Sequence, residues 1–167
     1  KELHPERTLD IRTDTRIELG GTSLSICEVP GHTPGSVVVL DERSNRLFTG
    51  DAIGSGYGVW MQTPTAVPLE TYYESLVHLL KWLVDRGGRM SFHGGHRYQM
   101  FQSTHVPSFN PPSLGLLCDL IDLVDQIVHG KIVGRISNVD NIMELEPVLY
   151  AAYGRAEIQY KASNIRI

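Results

Sequence analysis

The sequence contains few cysteines and has no long apolar run. Its two cysteines, Cys27 and Cys118, are too few for a disulfide framework and too far apart for a CxxC motif. We expect both to be buried as small apolar side chains. The longest apolar stretch, residues 113–128, is interrupted by aspartates and falls short of a bilayer span. We therefore expect a soluble protein without a membrane partner and favour the cytoplasm.

Positive charge is also scarce. Fifteen Lys and Arg residues stand against 19 Asp and Glu residues, which gives a formal net charge of −4, and no run of five like charges occurs. A protein that follows a phosphate backbone needs a basic surface, so the composition argues against nucleic acid as a partner. Hydrophobic residues make up 41% of the 167 residues, enough to bury the core of one domain.

The sequence begins at Lys1, with no initiator Met and no pattern of a signal peptide. We expect that a preceding segment has been removed or that the chain is a piece of a longer one.

Short strands alternate with glycine-rich turns in the first half. Residues 17–19, 22–29, 37–40, 47–49 and 90–92 have the composition of strands. Apolar residues at helical spacing predict a helix after Pro68 and a second helix between Ser113 and Gly130. Residues 52–67 contain three glycines and one proline, and we expect a long irregular loop there.

Four residues with metal-binding side chains lie in glycine-rich turns that follow predicted strands. They are His32, Asp51, His93 and His96. Each residue alone is more typical of an ordinary turn than of a ligand. Glycines beside them allow sharp turns that bring imidazole and carboxylate groups to one edge of a sheet, and such donors suit zinc, iron or manganese. Together the turns predict a metal site.

Three of these turns resemble known motifs. GHTPGS at residues 31–36, FTGD at 48–51 and GGH at 94–96 resemble the third, fourth and fifth metal-binding motifs of the metallo-β-lactamase-fold metallohydrolase superfamily. The third match is looser, since the family usually has Pro-Gly-His at this place. The resemblance implies an α/β (α+β) fold, a four-layer αββα sandwich with the site at a sheet edge.

The resemblance also implies roles for individual residues. The position of His32 completes the ligand set of one metal, that of Asp51 bridges two metals, and that of His96 completes the second set. Two divalent cations are implied, with zinc as the first choice and iron or manganese as alternatives. His93 is either a neighbour of the ligands or an alternative ligand on the one hand, or an ordinary turn residue on the other, and the sequence does not decide between these roles.

The superfamily's His-x-His-x-Asp-His motif does not occur in the 167 residues. The chain therefore resembles the C-terminal half of such a domain, with residues 103–167 as a helical and strand extension. We expect a partner, an N-terminal-half chain of the same domain, because a sandwich without one sheet would expose an apolar face. Omission of an upstream segment from the sequence is the alternative. The residues after 103 are also compatible with a contact between copies of the chain in a homo-oligomer.

The implied function is metal-dependent hydrolysis of a small molecule, a carboxylic ester, lactone or related acyl compound, with Asp51 as a catalytic residue. Activity would require the N-terminal half. The aromatic residues Tyr57, Trp60 and Tyr98 could line the substrate cleft or belong to the core. The alternative is a non-catalytic subunit or interaction module with an incomplete metal site.

Overall fold

The structure, a computed structural model, describes residues 8–54, 58–96, 111–137 and 146–166. In these residues two β-sheets surround two long helices. The elements in chain order are β1 (Arg16–Glu18), β2 (Ser23–Glu28), β3 (Val37–Asp41), β4 (Arg46–Gly50), β5 (Val59–Trp60), α1 (Leu69–Asp85), β6 (Ser91–Gly94), α2 (Leu114–Val128), β7 (Arg135–Ile136), β8 (Leu149–Tyr153), β9 (Ala156–Tyr160) and a 3-10 helix, Ala162–Asn164. The strands and both helices predicted from periodicity are present, and their bounds shift by one or two residues.

The first sheet has the strand order β1-β2-β3-β4-β6. Its first four strands form an antiparallel meander, and β6 pairs with β4 in parallel. A parallel pair needs a crossover connection, which here contains α1. The carboxyl ends of β4 and β6 therefore meet at the same edge of the sheet.

Asp41 fixes the turn between β3 and β4. Its Oδ1 accepts a hydrogen bond from the Thr22 hydroxyl at 2.6 Å, and its Oδ2 accepts one from the Ser44 hydroxyl at 2.7 Å. These donors favour the ionised carboxylate and lower the pKa of Asp41 to about 2. The carboxylate therefore stabilises the hairpin only while it is charged.

We expect this contribution to depend on pH. The folded-state pKa of Asp41 lies below the value of about 3.9 for an unfolded aspartate, so its stabilising effect is complete above pH 4 and disappears as the pH falls towards 2. Thermal unfolding should show Asp41→Asn less stable than the wild type at pH 6 and equally stable near pH 2. Asp85→Asn, at the exposed end of α1, is the control. A difference that stays constant with pH would contradict the assignment.

The core lies between the first sheet, the two helices and the second sheet. The face of the first sheet that packs into this core carries Cys27, Val38 and Leu47, which are fully buried. The buried residues of α1 are Leu69, Tyr72, Leu76, Leu79, Trp82 and Leu83. Val77 and Val84, which share the apolar spacing in the sequence, are exposed. The helix therefore buries a narrower face than its apolar composition indicates.

The prediction that both cysteines are buried is wrong for one of them. Cys27 is buried in β2, whereas Cys118 is exposed. In α2 the core face is occupied by the neighbouring Leu116, Leu117 and Leu120, so the helical rotation turns Cys118 away from it.

The opposite face of the first sheet is apolar and partly exposed. Direct cross-strand pairs place Ile17 opposite Leu24 and Val39 opposite Phe48, and Val37 lies on the same face as Val39. Phe48 is 44% exposed, and the other four side chains are partly exposed. None of the five belongs to the hydrophobic core or packs against it in the part of the chain that the structure describes. We call these five residues the open sheet face.

The second sheet has the strand order β5-β9-β8-β7. Its strand β5 pairs in parallel with β9 and lies inside the segment predicted as an irregular loop. Two residues are too few to produce an alternating pattern, so the sequence gives no signal for this strand. The face of the sheet that carries Ala151, Ile158 and Tyr160 packs into the core. No helix in the described ranges is long and apolar enough to cross a membrane.

Candidate metal centre

Two of the predicted ligands meet at one edge of the first sheet. Asp51 directly follows β4, and His96 lies two residues beyond the end of β6. Because these strands are parallel neighbours, both side chains leave the sheet at the same edge. His96 Nε2 lies 3.2 Å from Asp51 Oδ1. The parallel pairing thus explains why residues far apart in sequence come together.

Glycines allow the two chain segments to approach closely at this edge. A Cβ atom added to Gly95 would lie 3.2 Å from the Gly50 Cα atom, which leaves little space for a side chain. Gly50 itself has φ of 51°, a left-handed conformation that glycine adopts without strain. The Gly95 N–H donates to the Gly50 carbonyl at 3.3 Å. These glycines are therefore part of how the site is built.

One oxygen of Asp51 has no hydrogen bond. Its Oδ1 atom is buried and accepts none from the residues that the structure describes, although His96 is close to it. A buried carboxylate oxygen without a hydrogen bond is costly, so such an atom needs an explanation, and a cation supplies one. The oxygen is thus placed as a ligand would be.

A buried residue of α1 fixes the backbone beside Asp51. The hydroxyl of Tyr72 in α1 donates to the Ala52 carbonyl at 2.7 Å. Tyr72 is fully buried, and burial raises its pKa, so the hydroxyl keeps its proton and remains a donor. The turn that carries Asp51 is therefore fixed to the first helix.

His32 is oriented by the backbone of β5. Its Nδ1 atom lies 2.7 Å from the Trp60 carbonyl oxygen. A carbonyl only accepts, so Nδ1 carries a proton, and in the neutral ring the lone pair is then on Nε2. Histidine ligands of metals commonly donate their second ring N–H in this way. The Thr63 hydroxyl also donates to the His32 carbonyl, at 3.4 Å. Sequence reasoning missed the Trp60 carbonyl because a backbone acceptor leaves no residue signature.

The structure brings together two of the three predicted metal ligands. Asp51 and His96 are adjacent, but no group of three or more His, Cys, Asp or Glu side chains surrounds a common point in the described ranges. His32 as the third ligand therefore stays a prediction. Trp60 is 40% exposed in β5. Tyr57 and Tyr98, the other predicted substrate residues, lie outside the described residues.

His93 belongs to the first sheet. It lies within β6, where its ring centroid is 5.5 Å from that of Phe48 and its Nε2 atom is 3.2 Å from the Ser91 hydroxyl oxygen. These contacts place the imidazole on the open sheet face. They favour a packing role over that of a ligand.

The residues at this edge fit a divalent cation. The donors in the described ranges are a buried carboxylate oxygen without a hydrogen bond, an imidazole beside it and a second imidazole whose Nδ1 is bonded to a backbone carbonyl. Nitrogen and oxygen donors of this kind suit zinc, iron or manganese.

Comparison with known proteins gives the family of the chain. A model of the metallo-beta-lactamase superfamily matches residues 2–97, more than half of the sequence. The chain belongs to the metallo-beta-lactamase superfamily. The matched residues include the turns that carry His32, Asp51 and His96. The two sheets and the helices are those of the superfamily's α/β sandwich, so the predicted fold class is confirmed.

Solved structures of the superfamily resemble the chain at low sequence identity. A metallo-beta-lactamase from Pontibacter korlensis is 20% identical over 69% of this chain and 47% of its own, with a TM-score of 0.47. ETHE1 from Myxococcus xanthus is 20% identical over 68% and 51%, with a TM-score of 0.45. A superfamily protein from Sulfolobus tokodaii is 16% identical over 85% and 48%, with a TM-score of 0.44. The chain thus spans about half the length of these proteins. A search of curated proteins gave no significant match.

Proposed function

We propose that this protein is a metal-dependent hydrolase that acts on a carboxylic ester, a lactone or a related acyl compound. The observation that supports the proposal best is the Asp51 carboxylate, whose buried Oδ1 atom has no hydrogen bond in the part of the chain that the structure describes and lies 3.2 Å from His96 Nε2. Superfamily membership adds that such sites commonly hold divalent metals. We propose zinc, as two ions, and Asp51, His32 and His96 as ligands.

Each residue has a distinct task in this proposal. Asp51 and His96 would hold the cation, and Asp51 would also serve as a ligand of a second one. His32 offers Nε2 because its Nδ1 proton is engaged by the Trp60 carbonyl. A divalent metal ion in such a site lowers the pKa of bound water and polarises a carbonyl. In the overall reaction the water oxygen bonds to the acyl carbon, the ester C–O bond breaks, and the alcohol leaves with a proton.

We propose that residues outside these 167 complete the site. The chain offers three candidate ligands and lacks the His-x-His-x-Asp-His motif that would supply the others. The open sheet face favours the same conclusion, because its five apolar side chains need a cover. An N-terminal half of the same domain, in the same chain or in a second one, would supply both the cover and the ligands.

The proposed reaction predicts dependence on a metal. We expect the native protein to contain zinc, to lose hydrolysis of an aryl ester or a lactone after chelation, and to recover it when zinc is restored. Metal analysis by mass spectrometry and turnover on a panel of esters, lactones, thioesters and amides test this. Intact mass of the same material shows whether a first-half segment is present. Absence of bound metal, or hydrolysis that chelation leaves unchanged, would contradict the proposal.

The second candidate is a non-catalytic subunit that has kept the fold. The missing motif favours it. Retention of three ligand-type side chains, with the oriented His32 ring, favours the enzyme. A native protein that contains the first half, binds zinc and hydrolyses no member of the panel would support the non-catalytic role.

A further inference from the structure

Four side chains form a straight row across the second sheet. Trp60 in β5 lies opposite Gln159 in β9, Gln159 lies opposite Tyr150 in β8, and Tyr150 lies opposite Arg135 in β7. Residues directly opposite each other on paired strands share a face of the sheet. We call these four residues the sheet-two row.

The row lies on the face that does not enter the core. Side chains alternate along a strand, so Gln159 points away from the face of its neighbours Ile158 and Tyr160, which pack into the core. Trp60 is 40% exposed and Arg135 is exposed. Gln159 is almost fully buried between its neighbours. The row thus presents an aromatic ring at one end and a cation at the other.

One end of the row adjoins the candidate metal centre. The carbonyl of Trp60 orients His32, and the Gln62 amide, two residues further on, donates to the Gln159 side chain at 3.5 Å. Neighbouring strands are about 4.8 Å apart, so three spacings place Arg135 about 14 Å from Trp60. A molecule that reacts near His32 and extends along the row would reach the guanidinium.

Arg135 is held over an aromatic ring and has no ion pair with the described residues. Its guanidinium carbon lies 5.0 Å from the centre of the Tyr150 ring. Glu157 lies on the same face, and burial, together with that carboxylate, raises the pKa of Tyr150. The guanidinium retains its planar fork of donors for a ligand.

We propose that the sheet-two row binds the part of an acyl substrate remote from the reacting bond, with Trp60 against its carbon chain and Arg135 on a terminal carboxylate or phosphate. This inference rests on the proposed hydrolase function and names its substrate class. An anion is the group that a guanidinium binds with two parallel hydrogen bonds. The distance along the row sets the length of the chain between the reacting bond and the anion.

Substrate pairs test the inference on the native protein loaded with zinc. Aryl esters of equal chain length would end in a methyl group, a carboxylate or a phosphate. We expect kcat/KM to be about tenfold higher for at least one anionic ester than for the methyl ester, mainly through KM. Arg135→Gln should remove this preference. Arg43→Gln makes the same charge change in the turn before β4, at the end of that strand away from Asp51, and should keep it.

A binding measurement gives a second readout that does not need turnover. The protein has two tryptophans, and Trp82 is 4% exposed, so a long-chain dicarboxylate or ω-phosphocarboxylate that covers Trp60 should change the fluorescence of Trp60. A monocarboxylate of equal length should change it less, and Trp60→Phe should abolish the signal.

The outcomes separate the two proposals. In one outcome the protein hydrolyses no ester, yet it binds the dicarboxylate and Arg135→Gln weakens that binding. This result would contradict the hydrolase function and support the sheet-two row as an anion site. If kcat/KM is equal for all esters, and the monocarboxylate and the doubly anionic ligands give equal fluorescence titrations, the inference is wrong. The hydrolase function would not be affected by this result. Loss of association with the first half in Arg135→Gln would also overturn it, because the row would then be a protein interface.

Discussion

Replacement of Asp51 by asparagine is expected to lower kcat/KM at least a thousandfold and to reduce bound zinc. The variant keeps the shape of the side chain and removes its charge. A thousandfold loss corresponds to about 4 kcal/mol of transition-state stabilisation. It is expected because the Asp51 Oδ1 atom has no hydrogen bond to any described residue that would give it another role, and His96 Nε2 lies beside it at 3.2 Å.

Stability separates this outcome from simple unfolding. A buried carboxylate oxygen without a hydrogen bond is costly in the absence of a cation, so metal-free Asp51→Asn should be as stable as the metal-free wild type or more stable. Thermal unfolding with and without zinc measures this. Asp85→Asn removes an exposed charge and serves as the control. If Asp51→Asn keeps its full zinc content and activity, the assignment of Asp51 to the metal site is wrong.

Gly58→Ala is expected to destabilise the protein strongly and to weaken metal binding. Gly58 has φ of 80°, and an added Cβ would lie 2.6 Å from the backbone oxygen of Glu157. The strained conformation costs about 1 to 3 kcal/mol, and the displacement of backbone costs a similar amount. Gly58 precedes β5, so the displacement should move the Trp60 carbonyl away from His32. Loss of such a ligand-orienting contact typically lowers metal affinity by about 10- to 100-fold.

Gly20→Ala is the matched control. Gly20 also has a positive φ, 78°, but no atom lies within 4 Å of its added Cβ. Chemical denaturation and zinc titration of both variants should show a small stability loss with unchanged affinity for Gly20→Ala. If the two variants lose equal stability and bind zinc equally, the contact between β5 and β9 does not position His32.

Local sequence signals predicted most of the elements correctly. The second long helix lies between Ser113 and Gly130, as the sequence predicts. The Ser113 hydroxyl caps it by accepting from the Leu116 N–H at 3.1 Å, and Gly130 follows it with a left-handed φ of 68°. Such signals are reliable because a cap or a stop depends on residues within one turn of the helix.

Features that depend on distant pairing were missed or wrong. Strand β5 pairs with β9, and their contact at Gln62 and Gln159 joins residues 97 positions apart. The exposure of Cys118 depends on which side of α2 meets the core. The packing of His93 on Phe48 depends on the parallel register of β4 and β6. No local pattern encodes these relations.

The sequence by itself determined the residue types at the metal centre, the glycine-rich turns that carry them and the superfamily to which they belong. Only the tertiary structure decided that Asp51 and His96 meet, that a backbone carbonyl orients His32, and that an aromatic and cationic row extends from that carbonyl. The physical reason is that ligand chemistry resides in single side chains, whereas their placement depends on strand pairing across long separations in the chain.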